Sequence, residues 1–201
     1  MKINRRMIKK VITAIPDTTV QEALNVLHEN SIRHLPVVKG EKFVGFVSES
    51  DIRQVFLLPG GHEIKIGEVM NKDPIKIGPD ENLEEAAKLI NQNKLGGLPV
   101  VDDGKLVGII TVGDILAAFI EIMGVLQASS RVDVILGESP EAFEEISGII
   151  KRKGGDIISV GMGSVPESDE EYYSFRLKKC SLEPIVSAIA DKGFEVVSII
   201  E

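Results

Sequence analysis

The chain repeats itself at an offset of 63 residues. Leu35-Pro36-Val37-Val38 returns as Leu98-Pro99-Val100-Val101, and Gly45-Phe46-Val47-Ser48-Glu49-Ser50-Asp51 returns as Gly108-Ile109-Ile110-Thr111-Val112-Gly113-Asp114. Pro16-Asp17 matches Pro79-Asp80, Glu22-Ala23 matches Glu85-Ala86, and Met7 matches Met70. From Ile3/Ile66 to Phe56/Phe119 no gap is needed, and roughly a third of the paired positions are identical. A hydroxyl and a carboxylate recur along with the apolar positions, so the repeat carries a candidate site as well as a core.

Each repeat reads β-α-β-β-α. A short strand (Val11 to Ala14; Ile75 to Ile77) precedes a Pro-Asp turn. A helix follows with an apolar face at Val20, Ala23, Leu24 and Leu27, or at Leu83, Ala86, Ala87 and Ile90. A hairpin comes next, from Leu35 to Val47 and from Leu98 to Ile110, with its turn at Lys39-Gly40 or Asp102-Asp103-Gly104. A last helix begins near Asp51 or Asp114. One repeat alone would bury little apolar surface. Two copies solve this by pairing equivalent sheet faces about a pseudo-twofold axis. Leu57 to Ile64, with Pro59-Gly60-Gly61, reads as the connecting loop.

Beyond Leu126 the pattern changes. Gln127 to Ser130 reads as a linker. Strand Arg131–Leu136, helix Pro140–Lys153, strands Asp156–Met162 and Tyr172–Lys178, helix Leu182–Lys192 and strand Glu195–Ile200 then give a βαββαβ order, the ferredoxin-like split βαβ. Gly154-Gly155 and Gly193 stand where helices end, Pro140 and Pro184 near where they start. Gly163 to Glu171 reads as a polar hairpin loop. The fold class is therefore α+β, divided as 1–60, 61–126 and 131–201.

Among the 201 residues the formal charge is −8, which argues against broad binding to a nucleic-acid backbone. The single cysteine, Cys180, excludes an intrachain disulfide framework. Three histidines (His28, His34, His62) without a cysteine cluster give no metal-binding spacing. The basic stretch Met1 to Ile12 has no continuous apolar run, so it is not expected to act as a signal peptide, and Ile115 to Leu126, interrupted by Glu121, is too short to span a bilayer. A cytoplasmic protein with no membrane partner is expected. No nucleophile motif or phosphate loop is present, and Gly161-Met162-Gly163 opens no helix. The chain reads as a non-enzyme, with no catalytic cofactor.

The doubled Leu-Pro-Val-Val hairpin, followed by Gly-x-x-Ser/Thr-x-x-Asp, closely resembles the cystathionine-β-synthase (CBS) domain family over Ile3 to about Ile120. Two copies in tandem look like a Bateman module. The tail from Arg131 looks like an ACT domain by its element order, and the whole is similar to bacterial acetoin-utilisation regulatory proteins. The resemblance implies a regulatory module that binds an adenosine nucleotide, AMP or ATP, in clefts between the repeats, and a homodimer. ACT-like domains often bind amino acids at a glycine-bearing turn. Here the turn reads Gly137-Glu138-Ser139-Pro140-Glu141, and Glu141 stands where glycine is common, so pairing is the expected role of the tail.

An ionised carboxylate accepts a pair of hydrogen bonds from the vicinal hydroxyls of a ribose, which casts Asp51 and Asp114 as ribose ligands. Ser48 and Thr111, three residues earlier, supply a hydroxyl to the ribose or a phosphate. Leu35-Pro36 and Leu98-Pro99 offer walls for the base. By family resemblance, Thr13-Ala14 and Lys76-Ile77 offer backbone contacts to its edge. The same Ser-x-x-Asp pattern also reads as a helix cap, and both readings hold together. The two sites differ. Arg33, His34 and Arg53 surround the first, with Arg5 or Arg6 near. Gly96, Gly97 and Leu116 take the matching places in the second, alongside Leu98. Guanidinium suits phosphate, so the first site is expected to favour phosphorylated ligands and the second a less charged adenosine compound or none. The competing readings are a structural interaction protein with degenerate clefts, and a sensor of S-adenosylmethionine or an NAD-type ligand.

Overall fold

The computed structural model describes residues 1–137, 139, 141–165 and 170–201. The chain divides into two compact units, Met1–Leu116 and Ala117–Glu201. Of the turn and loop features expected from sequence, Glu138, Pro140 and residues 166–169 of the Gly163-to-Glu171 loop lie outside the described residues.

The first unit holds α1 (Val20–Glu29), β1 (His34–Lys39), β2 (Lys42–Ser48), α2 (Glu49–Phe56), α3 (Ile66–Val69), α4 (Leu83–Asn93), β3 (Gly97–Asp102) and β4 (Lys105–Thr111), and reaches into α5 (Val112–Ile122). Local chemistry sets the boundaries. Thr19 caps α1 in a capping box with Glu22: the Thr19 N–H donates to Glu22 Oε2 at 2.8 Å, and the Glu22 N–H donates to Thr19 Oγ1 at 3.1 Å. The Thr19 N–H, and with it the Thr19 hydroxyl 2.9 Å from the same oxygen, hold the Glu22 carboxyl below its ordinary range. The apolar face foreseen for α1 is buried, with Val20, Ala23 and Leu27 fully so.

The core repeats with the sequence. Ala14, Val20, Ala23, Leu27, Leu35, Val37, Val47 and Ile52 are buried, and so is each residue 63 positions later: Ile77, Leu83, Ala86, Ile90, Leu98, Val100, Ile110 and Ile115. Even the register irregularity recurs, at Val37/Val38 in β1 and Val100/Val101 in β3. The expected first strands, Val11–Ala14 and Ile75–Ile77, are reduced to single bridges, Ala14 to Val37 and Ile77 to Val100, both parallel.

Equivalent sheet faces were the expected joint between the repeats. The structure adds two joints that periodicity does not reveal. The hairpins form one sheet in the order β1-β2-β4-β3, linked at Lys42 and Lys105. Each repeat also sends its leading segment into the other. The Ile3 N–H donates to the Glu81 carbonyl (3.0 Å), and the Ile66 N–H to that of Thr18 (2.8 Å). The N–H groups of Asn4 and Gly67 reach the carbonyls of Pro79 and Pro16, and Leu83 and Val20 donate back to Met1 and Ile64. Farther along, Ile8 pairs with Ile109 and Asn71 with Phe46. Ile66 is thereby packed into the core of the first repeat.

This exchange explains two repeated residues. A Cβ on Gly108 would lie 2.6 Å from Met7 Sδ and 3.1 Å from the Ile8 carbonyl oxygen. A Cβ on Gly45 would collide with Met70 Sδ and lie 3.0 Å from the Asn71 carbonyl oxygen. The glycines let the crossing backbones approach, and each methionine covers the glycine of the opposite repeat.

The second unit contains the end of α5, then β5 (Ser129–Ile135), α6 (Ala142–Arg152), β6 (Ile157–Ser164), β7 (Glu171–Lys178), α7 (Glu183–Ala190) and β8 (Glu195–Ile200). The sheet order is β6-β7-β5-β8, antiparallel throughout, the split βαβ arrangement read from element order. Its core is built on Val132, Val134, Ile146, Ile150, Phe175, Leu177, Ile185 and Ile189. Gly154, at φ +87°, follows α6 in the left-handed conformation. The linker expected at Gln127–Ser130 is shorter than read, because Ser129 and Ser130 already belong to β5. Ser130 is fully buried: its hydroxyl donates to the Cys180 carbonyl (2.9 Å) and accepts from the Cys180 N–H (3.2 Å).

Candidate functional site: a cleft with paired walls

Within the first unit lies a cleft of about 1120 Å³, larger than the ~300–1,000 Å³ usual for a small-molecule site. Twenty-five residues line it, and all but Asp51 fall into pairs 63 apart. Ile8 pairs with Asn71, Ile12 with Ile75, Phe46 with Ile109, Ser48 with Thr111, and Glu49 with Val112. The doubled motif thus opens into one space shared by both repeats. The crossing segments supply much of the wall, since Ile8, Lys10, Val11 and Ile12 come from one and Asn71, Asp73, Pro74 and Ile75 from the other.

At each end of this arrangement a helix begins. Ser48 Oγ donates to Asp51 Oδ2 (2.6 Å), the Ser48 N–H donates to the same oxygen (2.9 Å), and the Asp51 N–H donates to Ser48 Oγ (3.3 Å). Thr111 and Asp114 repeat this at 2.6, 2.8 and 3.3 Å. The carbonyls of Arg33 and Gly96 accept from the N–H groups of Glu49 and Val112 (2.9 and 3.1 Å). The capping reading of Ser-x-x-Asp therefore holds at both positions. It uses only Oδ2: among the described residues no hydrogen bond reaches Oδ1 of Asp51 or Asp114, so each carboxylate keeps one oxygen for another donor. The helix starts also bring partial positive charge to the cleft.

Of the residues singled out from sequence, Arg33, His34, Ser48, Asp51, Gly97 and Thr111 line the cleft. Thr13, Ala14, Leu35, Pro36, Arg53, Leu98, Pro99 and Asp114 are not among its lining residues, and Lys76 and Ile77 face a separate shallow depression beside α4. Leu35, Pro36, Leu98 and Pro99 are buried instead. The backbones of Ala14 and Ile77 are already engaged: their N–H groups donate to Pro36 and Pro99, and their carbonyls accept from Val38 and Val101. Arg53 is held by Glu49, with Nη2 2.6 Å and Nε 2.8 Å from Oε1, while His28 stands 3.2 Å away. That guanidinium holds the Glu49 carboxyl below its ordinary range. Sequence reasoning missed Lys10, Glu49, Asp73 and Lys94, the charges that accompany Arg33 and Asp51 in the cleft. Lys10 and Asp73 are partners at the same offset, so the repeat itself held the signal.

His34 stacks on Phe46, ring centroids 5.7 Å apart and planes 16° from parallel. Burial pushes its imidazole below the ordinary value. Arg33 pushes the same way and Asp51 opposes. The ring is therefore neutral near pH 7.

The CBS domain family model matches residues 2–58 and 66–121. The chain is 36% identical over 152 residues to inosine-5′-monophosphate dehydrogenase of Methanocaldococcus jannaschii, which covers 75% of this chain and only 30% of that enzyme. Among solved structures it is similar to CBSX2 in complex with AMP (32% identity, TM-score 0.56, covering 60% of this chain and 97% of that one). It is also similar to a Vibrio cholerae chain assigned to acetoin utilization, AcuB (30%, 0.57, 62% and 94%). A third is the CBS domain pair of MJ0100 in complex with 5′-methylthioadenosine and S-adenosyl-L-methionine (30%, 0.55, 59% and 95%). Among the described residues no helix is long and apolar enough to cross a membrane.

Proposed function

Because the chain belongs to the CBS-domain family, we propose that it is a regulatory module that takes an adenosine ligand, AMP or ATP, into the paired cleft and passes the bound state to a partner enzyme or pathway. The observation that carries this reading is the unengaged Oδ1 of Asp51 in a cleft that also presents Ser48 and Arg33. The capped carboxylate is held in place by α2, and its second oxygen is left to accept ribose hydroxyls. Arg33 and Lys10 supply two cations for phosphate from the first repeat, where the second has Gly96 and Asp73 and adds one cation, Lys94, opposite Ser31; Glu49, the acidic neighbour of the first pair, is engaged by Arg53. The half around Asp51 is thus the one suited to a phosphorylated ligand, and the half around Thr111 to a less charged adenosine compound. The complexes of CBSX2 with AMP and of MJ0100 with S-adenosyl-L-methionine support the ligand class.

On this reading the 131–201 region is an ACT-like pairing domain, the protein is a cytoplasmic homodimer, and the chain performs no reaction itself. Acetoin utilisation is the pathway we favour, on the similarity to AcuB. Ligand binding acts by preferring one of two arrangements of the module.

Calorimetry with AMP and ATP on wild type, Asp51→Ala and Asp114→Ala tests the site. Asp51→Ala should lose binding of the phosphorylated ligand at least about tenfold, the scale of a lost charged hydrogen-bond pair. Wild-type affinity in Asp51→Ala would show the assignment to be wrong. The doubly satisfied helix caps favour a second reading, a structural interaction module whose motif serves folding alone. Under that reading thermal melts stay flat with millimolar AMP, ATP, NADH and S-adenosylmethionine, whereas a bound ligand raises stability by mass action.

A further inference from the structure

His34 is set against Gly96 across the repeat. A Cβ on Gly96 would lie 2.5 Å from His34 Nε2 and 2.6 Å from Cε1. The backbone of Gly96 does not adopt the left-handed conformation that favours glycine. What this position requires is the missing side chain, and the imidazole fills the gap. The ring is fixed on its other side by Phe46. Among the described residues no hydrogen bond reaches the imidazole, although it lines the cleft. A neutral ring with both nitrogens unengaged in a ligand cleft is poised to respond to whatever charge arrives.

The charges around it are mixed. Arg33 immediately precedes it in the chain, just before β1, and Glu49 and Asp51 stand at the start of α2. Lys94 lies on the stretch that carries Gly96, with Lys10 and Asp73 on the two crossing segments. Burial and Arg33 hold the ring neutral against the pull of Asp51. A phosphate monoester, carrying about −1.5 to −2 charges at neutral pH, would outweigh that balance and compensate the burial of a positive ring.

We propose that His34 reads the charge of the ligand: a ligand that brings a phosphate monoester into the cleft takes a proton with it onto this imidazole, and a ligand without an anion does not. The inference rests on the adenosine-ligand reading of the cleft and assigns one side chain the discrimination between a nucleotide and a nucleoside-like ligand. The proton comes from solvent, and no bond other than N–H is made. Each unit by which the imidazole's pKa rises on binding strengthens binding at low pH by up to about tenfold.

The test is calorimetry with AMP and with adenosine on wild type and His34→Gln, between about pH 6 and pH 8, in buffers of unlike ionisation enthalpy. The phosphate itself titrates near pH 6, so the readout is the difference between the two proteins. With AMP, wild type should take up a substantial fraction of a proton more than His34→Gln and gain several-fold more affinity on acidification. With adenosine the two should take up protons equally. AMP binding with equal proton uptake in both proteins overturns this inference alone, while failure of both ligands to bind overturns the cleft assignment with it. Should His34→Gln not fold, the imidazole NMR titration of wild-type His34 decides: it should move upward with AMP and stay in place with adenosine, and an unmoved curve with AMP bound refutes the proposal.

Discussion

The reciprocal exchange of leading segments makes a demanding prediction, because the repeat supplies its own control. In Gly108→Ala the new Cβ would stand 2.6 Å from Met7 Sδ, 2.9 Å from its Cγ and 3.1 Å from the Ile8 carbonyl oxygen. The thioether can swing away. The carbonyl cannot, since Ile8 and Ile109 hold each other by two backbone bonds of 2.9 and 3.0 Å. Overpacking of this kind costs about 1–3 kcal/mol. For a chain of this size each kcal/mol lowers Tm by about 2–4 °C. Removing Met7 relieves part of the strain, so Gly108→Ala with Met7→Ala should be less destabilised than the sum of the single variants, by about 0.5–2 kcal/mol. The same glycine combined with Met70→Ala should be additive, because Met70 covers Gly45 instead. Gly45→Ala should show the mirror pattern. Urea unfolding of the four single variants and four pairs measures all terms. A neutral Gly108→Ala, or coupling to Met70 as strong as to Met7, would refute the exchange.

Ser130→Ala should cost about 1–3 kcal/mol in urea unfolding, since it leaves the carbonyl and N–H of the half-buried Cys180 without the partner that the fully buried Ser130 gives them; a neutral result would contradict the clip. Glu22 is held below its ordinary value of 4.5 by the Thr19 N–H and hydroxyl. A depressed carboxyl adds stability above its unfolded value and loses it as pH falls through the folded one. Thermal melts should therefore show Glu22→Gln less stable than wild type at neutral pH, with the gap closing below pH 4.5; a gap independent of pH would count against the capping box. Light scattering on the full chain should give twice the 21.9 kDa of one chain if the proposed homodimer forms, and a monomer at all concentrations would remove that part of the proposal.

The repeat was legible because it is written in two alphabets at once. The apolar spacing of Val20, Ala23 and Leu27 gave α1, and its copy gave α4. The Ser-x-x-Asp pattern gave two capped helices. The βαββαβ order of the second unit followed from strand and helix periods with glycine stops at Gly154 and Gly193. The crossing segments were not legible. Residues 1–12 and 64–75 are short, make mostly backbone bonds to distant partners, and have no period of their own. Met7, Met70, Gly45 and Gly108 recur in the sequence, yet nothing in their spacing says that each methionine meets the other repeat's glycine. For the same reason the cleft wall was misjudged. Leu35 and Pro36 look like wall material by composition, but β1 is covered on both faces there and both are buried, and Val11 and Ile12 on a crossing segment face the space instead.

The most direct test of the account is a crystal structure of the full chain grown with AMP. We expect the nucleotide between the repeats, its ribose hydroxyls on Asp51 Oδ1 and its phosphate beside Arg33 and His34. A cleft filled by protein side chains, or a nucleotide bound elsewhere with Asp51 Oδ1 turned to solvent, would contradict it.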